Sequence, residues 1–231
     1  MQQRAEPHDS LDDFPTPPWA TRALCNWIAR NACDGRLGQL DVREPCANRG
    51  HMVRPLREYF GHVQASDVHD YGAGFLQRDY LFPGGQDHHD WTFMNPPFRL
   101  AQEFILQAKA LSRQGAAALV RTSFLEGVER CDELFTPHPP AYVLQFAERV
   151  VMHKGVLRRP GSKYIGEDGK LKTASTATSY AWLVWLKDRG TLDGWLTDTR
   201  FRVIPKCRTE LERAGDYPED VAGLANLELA K

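Results

Sequence analysis

Trp91-Thr92-Phe93-Met94-Asn95-Pro96-Pro97-Phe98 is the stretch that decides the fold of this chain. A short strand-forming run meets an Asn and two prolines. Each proline fixes its own φ and pushes its predecessor out of the helical region, so the strand must end abruptly at Asn95. Reading outward, Leu100 to Leu111 places Phe104, Ile105, Ala108 and Leu111 on one helical face. The unbroken apolar run Ala116 to Val120 then suits a strand inside a sheet covered on both faces. Upstream, Leu40 to Glu44 reads as a strand stopped by Pro45, Met52 to Tyr59 as a helix with Pro55 in its first turn, and His62 to Ser66 as another strand. Ala141 to Val151 and Ser179 to Leu186 read as two longer strands near the end. Asp13 to Pro18 must be extended, and Trp19 to Ala32 carries Trp19, Ala23, Leu24, Trp27 and Ile28 at helical spacing. Strands alternating with helices predict an α/β fold on a parallel sheet.

The 231 residues suffice for one domain with a continuous core, and no internal repeat divides them. Apolar residues make up 42% and charged residues 26%, the composition of a soluble globular protein. No apolar run approaches the roughly 20 residues that span a bilayer, so no membrane association is expected. Residues 1–12 are polar and acidic, without the apolar core of a secretory signal, and are expected to form a mobile tail. Cys25, Cys33, Cys46, Cys131 and Cys207 are scattered without CxxC spacing. That argues against zinc and disulfides and suits a reducing cytoplasm. His88-His89, between Asp87 and Asp90, offers adjacent side chains that point apart, and no further His or Cys has ligand spacing. A loop is expected there, and no metal. Trp182 and Trp185 are expected to pack rather than to present a stacking surface.

Several strand ends carry chemistry. An exocyclic base amine is a poor nucleophile, because its lone pair is delocalised into the ring. The side-chain oxygen of Asn95 and the carbonyl of Pro96, fixed in direction by Pro97, can both accept hydrogen bonds from such an amine. Those bonds favour a pyramidal nitrogen and need no Asp or His base. Phe98 offers a face on which an extruded base can stack. Alternatively, the tetrapeptide only ends a strand. Glu44-Pro45-Cys46-Ala47-Asn48-Arg49-Gly50 follows another strand and precedes a helix, where backbone amides can approach a ligand and Glu44 can meet an ammonium group. An ordinary turn has the same composition. Asp67, about 20 residues past that loop, can accept from ribose hydroxyls, and Asp79 from an adenine amine. Either can equally be a solvated acid. All four elements lie at the carboxyl ends of expected strands, where open α/β sheets bind ligands.

In this order the chain resembles the S-adenosyl-L-methionine-dependent amino-methyltransferases that modify adenine N6 or cytosine N4 in DNA, most of all the short stand-alone enzymes of phages and prophages. Asn95-Pro96-Pro97-Phe98 matches the catalytic (D/N/S)PP(Y/F) motif, and Asn with Phe resembles the adenine-N6 branch. Glu44 to Gly50 resembles the cofactor loop E-P-x-A-G-x-G, with Cys46 and Gly50 in register and Asn48 where the first glycine stands. Asn tolerates a left-handed backbone better than other side chains, so the turn can survive, though the side chain can crowd the cofactor. Asp13-Phe14-Pro15-Thr16-Pro17 resembles the segment that closes over the methionine end of the cofactor. Asp67 with Val68, and Asp79, match the ribose and adenine contacts. The resemblance runs from about Asp13 to Leu186. It implies a Rossmann-like class I methyltransferase with a mixed seven-stranded sheet, helices on both faces and a last, antiparallel strand near Tyr180 to Leu186. Asn95, Pro96, Pro97 and Phe98 are then catalytic. The cofactor-binding residues are Phe14, Thr16, Pro17, Glu44, Cys46, Asn48, Gly50, Asp67, Val68, Asp79 and Asn95.

A methyltransferase acting on DNA also needs phosphate contacts, yet the net charge is only -1. His153 to Thr178, between two expected strands, is rich in Gly, Lys, Arg, Ser and Thr and is expected to be an exposed insertion loop. Up to Thr173 it holds six cations (Lys154, Arg158, Arg159, Lys163, Lys170 and Lys172) against Glu167 and Asp168. These cations and Tyr164 are the expected nucleic-acid contacts, although the loop can also be a merely solvated surface. The expected reaction is methylation of N6 of a flipped adenine in DNA. The rivals are RNA or a protein glutamine as substrate, and a fold that binds nucleic acid without catalysis.

Overall fold

The computed structural model describes residues 12–33, 35–82, 84, 87–166, 168–188, 190 and 194–217. Of the expected tail only Asp12 falls among them, and Glu167 of the basic segment lies outside them. The strands are β1 (Asp41–Glu44), β2 (His62–Asp67), β3 (Leu76–Gln77), β4 (His89–Met94), β5 (Ser112–Arg121), β6 (Tyr142–Phe146), β7 (Lys163–Ile165), β8 (Leu171–Thr173), β9 (Tyr180–Leu186) and β10 (Arg200–Ile204). The helices are α1 (Pro18–Asn31), α2 (Val53–Leu56), α3 (Ala101–Leu111), α4 (Val128–Arg130) and α5 (Arg208–Leu211). Eight strands form one sheet in the order β10-β6-β9-β5-β4-β1-β2-β3. Only β9 runs antiparallel, to β5 on one side and β6 on the other. The strand order reverses between β1 and β4, and the crevice outside the carboxyl ends of those strands is where open α/β sheets bind ligands.

Period-two alternation sorts each strand between two cores. Phe93, Ala117, Trp182 and Val184 face a cluster that contains Trp19, Leu24 and Ile28 of α1 and Leu56 of α2. Met94, Ala116, Ala118, Leu183 and Trp185 face the other, with Phe104, Ile105 and Ala108 of α3. Both faces are therefore covered by helices. Pro18 fits the first turn of α1, where its missing N–H is not needed. The helix buries its apolar stripe, and each fully buried Leu or Ile contributes about 1.5–3 kcal/mol. Arg22 on the same helix is buried against Glu58 and Asp216, 2.8 and 2.7 Å away. Gly115 is required by packing: a Cβ there would lie 2.5 Å from the ring of Trp91. No described helix is long and apolar enough to cross a membrane.

The antiparallel strand β9 lies where the resemblance implied it, but it is not the last, and the sheet has eight strands instead of seven. The eighth, β10, joins the β6 edge in parallel register. Its Phe201 and Val203 are exposed and alternate with Arg200 and Arg202, a pattern too polar to read as core. The expected strand Ala141 to Val151 stops at Phe146. Glu148 turns aside to accept from the amides of Cys207 and Arg208, while Val150, Val151 and Met152 enter the core without a ladder. Met52 to Tyr59 is regular helix only over Val53–Leu56. His89 is not in a loop: it opens β4, fully buried, with Nε2 2.6 Å from Thr92 Oγ1. Trp182 and Trp185 are core residues whose indole N–H groups donate to the carbonyls of Ala20 and His138.

Candidate active-site cleft

A cleft opens at the strand-order reversal, with about 740 Å³ of empty space counting its open mouth. Of the residues expected at the site, Phe14, Thr16, Cys46, Asn48, Asp67, Val68, Asn95 and Pro97 line it. His51, Tyr71, Arg78, Tyr80 and Phe104, which the sequence did not single out, line it too.

Asn95 is held by the segment that precedes α1. Its amide nitrogen donates to the carbonyl of Phe14 at 2.8 Å and to Thr16 Oγ1 at 3.0 Å, with Met152 Sδ at 3.9 Å. Both amide protons are thereby used, and Oδ1 remains as the acceptor. Asp12, expected in the tail, instead accepts from the Phe98 amide at 2.8 Å. The extended segment and the Asn-Pro-Pro-Phe turn therefore clasp each other.

Asn48 is the only non-glycine residue with positive φ among those described, at 49°. Its side chain donates to Asp13 Oδ1 at 2.7 Å and accepts from the Arg49 amide at 2.7 Å. Arg49 also grips Asp13, at 3.0 Å, and donates to the carbonyl of Gly155. The side chain at the departure from glycine is thus an anchor for the extended segment, although Asn48 also lines the cleft. Asp67 accepts from the amides of Asn48 at 2.8 Å and His69 at 3.0 Å. Burial raises its pKa, and those amides oppose the rise. The Val68 amide also bonds this carboxylate, which has about four acceptor positions, so some capacity remains for a ligand.

Four expected cofactor residues, Pro17, Glu44, Gly50 and Asp79, do not line the cleft. Glu44 is fully buried and does not line the cleft; Oε1 accepts from the Cys46 amide at 2.9 Å, and Oε2 is buried without a hydrogen-bond partner. Burial pushes its carboxyl well above the usual range. Gly50 is not in the cleft lining, and a Cβ there would lie 2.9 Å from the Phe75 ring. Asp79 accepts from the amide of Leu81 at 2.9 Å, and its neighbours Arg78 and Tyr80 line the cleft in its place. Pro17 caps α1. His51 is held neutral, its pKa pushed down to about 4 by burial and by Arg54 and Arg49.

Pro96 and Phe98 border a second hollow with Val120, Arg121, Ser123 and Phe124. The expected open stacking face of Phe98 is covered. The guanidinium carbon of Arg121 lies 3.8 Å from the ring centroid, and Phe14 packs against the same ring at 5.3 Å.

The basic segment is more ordered than a loop. It contains the hairpin β7–β8, and Leu157 is fully buried in the core. The amide of Gly155 donates to the carbonyl of Asp13, so the segment starts beside the cleft. Arg158 is half-buried over the ring of Tyr164 at 4.0 Å. Arg159 pairs with Glu212 at 3.1 Å, Lys172 with Asp168 at 3.1 Å, and Lys163 donates to Thr173. Lys154 and Lys170 are exposed.

A large, mostly parallel sheet with one antiparallel strand and helices on both faces is the Rossmann-like methyltransferase fold. No family model matches the sequence, and no curated protein does. Solved structures do. The chain is similar to a candidate class I S-adenosylmethionine-dependent methyltransferase from Listeria monocytogenes, with a TM-score of 0.54 at 11% identity over 91% of this chain and 69% of that chain. A candidate RNA methyltransferase from Pyrococcus horikoshii has a TM-score of 0.53 at 17% identity, over 81% of this chain and 93% of the other. The methyltransferase subunit of a type I restriction-modification system from Streptococcus thermophilus has a TM-score of 0.55 at 14% identity. That match spans 94% of this chain but only 53% of the subunit.

Proposed function

We propose that the protein transfers a methyl group from S-adenosyl-L-methionine to N6 of an adenine extruded from DNA. The observation that carries this reading is the fixed orientation of Asn95. Phe14 and Thr16 take both protons of its amide nitrogen, so the carbonyl oxygen is presented as an acceptor beside the cleft. The cleft suits the cofactor in its donor set: Asp67 keeps acceptor capacity for hydroxyls, and Phe14, Tyr71, Tyr80 and Phe104 offer aromatic surface. Glu44, two positions before the cleft-lining Cys46, has a buried Oε2 without a hydrogen-bond partner; burial favours its neutral form, and a bound ammonium would restore its charge.

S-adenosyl-L-methionine, when bound, supplies an electrophilic methyl group on a sulfonium. Asn95 Oδ1 and the Pro96 carbonyl accept from the target amine and turn its lone pair toward that carbon. Once methylated, the amine would shed its extra proton to solvent, with Asn95 Oδ1 and the Pro96 carbonyl holding it in place as acceptors. Asn95 and Pro96 thus work by positioning, a contribution realised fully only in the transition state. The cations of the basic segment, Lys154 and Lys170 among them, serve the phosphates. Incubating the protein with S-adenosylmethionine labelled in the methyl group, against DNA, RNA and a glutamine-containing peptide, tests the reading. Label is expected in DNA and absent with Asn95→Ala. Label in RNA or peptide alone moves the assignment to that substrate.

A further inference from the structure

Phe98 carries a planar cation where a base is expected to stack. We propose that Arg121 is a placeholder: it covers the stacking face of Phe98 until the target base arrives, then moves to the phosphate beside the extruded nucleotide. This rests on the nucleic-acid reading above.

The guanidinium carbon sits 3.8 Å from the Phe98 centroid. That is the separation of two stacked planar groups, so a base and Arg121 cannot share this face. Arg121 stands at the last position of β5, at the ligand-binding edge of the sheet, opposite Tyr180 of β9. It borders the hollow formed by Pro96, Phe98, Ser123 and Phe124. Its Nε is buried and takes no hydrogen-bond partner, while the side chain donates to the Tyr180 hydroxyl, the one bond that withdrawal must break or carry along. A guanidinium that leaves an aromatic face needs an anion, and the phosphate of the incoming nucleotide arrives together with the base. Base entry and charge neutralisation are thereby joined in one side chain.

The two halves of the proposal give opposite signs in one variant. In Arg121→Ala the vacated ring should bind a neutral probe, deoxyadenosine, about 2- to 5-fold more tightly, the cation–π contact no longer competing. The same variant should lose about 0.7 from the slope of log affinity against log salt for a single-stranded oligonucleotide. Arg121→Lys keeps the charge but not the planar stack, so it should tighten deoxyadenosine binding and keep the wild-type slope. Melting curves of both variants establish that they are folded, and a side chain that served only packing would not divide the two readouts. Binding of both probes by the wild type, with neither readout altered in Arg121→Ala, overturns the placeholder alone. A wild type that binds neither probe overturns the nucleic-acid reading and the placeholder with it.

Discussion

Replacing Asn95 by Asp keeps an acceptor for the target amine but reverses the polarity facing the extended segment. The amide nitrogen that donates to Phe14 O at 2.8 Å and Thr16 Oγ1 at 3.0 Å becomes an oxygen. The Thr16 hydroxyl can rotate and donate to it; the Phe14 carbonyl cannot. One hydrogen bond is lost outright and a carboxylate is pressed against a carbonyl, for a cost of about 1–3 kcal/mol near neutral pH. In a domain of this size that corresponds to roughly 2–4 °C of melting temperature per kcal/mol. A protonated carboxyl can again donate to Phe14 O, so the folded protein favours the neutral acid and its pKa rises above the unfolded value of about 3.9. The folded state then binds more protons, and stability falls as pH rises from the unfolded pKa through the folded one. Melting curves of wild type and Asn95→Asp should converge near pH 4 and diverge toward pH 7. A deficit that stays constant with pH, or no deficit at all, refutes the clasp between Asn95 and the segment Phe14 to Thr16.

Asn95→Ala should lower the methyl-transfer rate on the order of 10²-fold or more. It should also weaken cofactor binding, because the lost donor holds two cleft-lining residues; calorimetry that finds cofactor affinity unchanged contradicts that link. Asp67→Ala should weaken S-adenosylmethionine binding by about 1.5–3 kcal/mol, read as the cofactor dissociation constant. Substituting Lys154 and Lys170 by Ala should lower the salt slope of binding to duplex DNA by about 1.8 if both touch phosphate. Arg159→Ala should change it less, since Glu212 already pairs with that guanidinium. His51 and His89 are each pushed down to about 4, chiefly by burial. They are neutral in the folded protein and charge in the unfolded one, so stability should be full above the unfolded pKa of about 6.5 and fall as pH drops toward 4. Denaturant melts over that range check this, and His89→Gln should flatten the loss.

The sequence made the sheet legible where period and punctuation agreed. Pro45 and the Asn-Pro-Pro turn marked the ends of β1 and β4, and the apolar run Ala116 to Val120 marked the interior of β5, which begins earlier, at Ser112. β10 was not legible, because an edge strand with Arg200 and Arg202 between apolar residues has no core signature. Within the site, residues at strand ends were predictable from the rule that ligands bind there, as with Asp67 and Asn95. Residues set by long-range packing were not. Nothing local distinguishes Gly50 facing Phe75 from Gly50 facing a ligand, or marks Arg121 as the cover of Phe98. Asn48 shows both sides of this. Its tolerance of positive φ followed from residue type, whereas its bond to Asp13, 35 positions away, required the fold.

The most direct test of the account is to digest DNA to nucleosides after incubation with the protein and S-adenosylmethionine and to measure N6-methyldeoxyadenosine by mass spectrometry. This nucleoside should accumulate with the wild-type protein and fall to background with Asn95→Ala. Cofactor binding without any methylated deoxyadenosine, on duplex and single-stranded DNA alike, would contradict it.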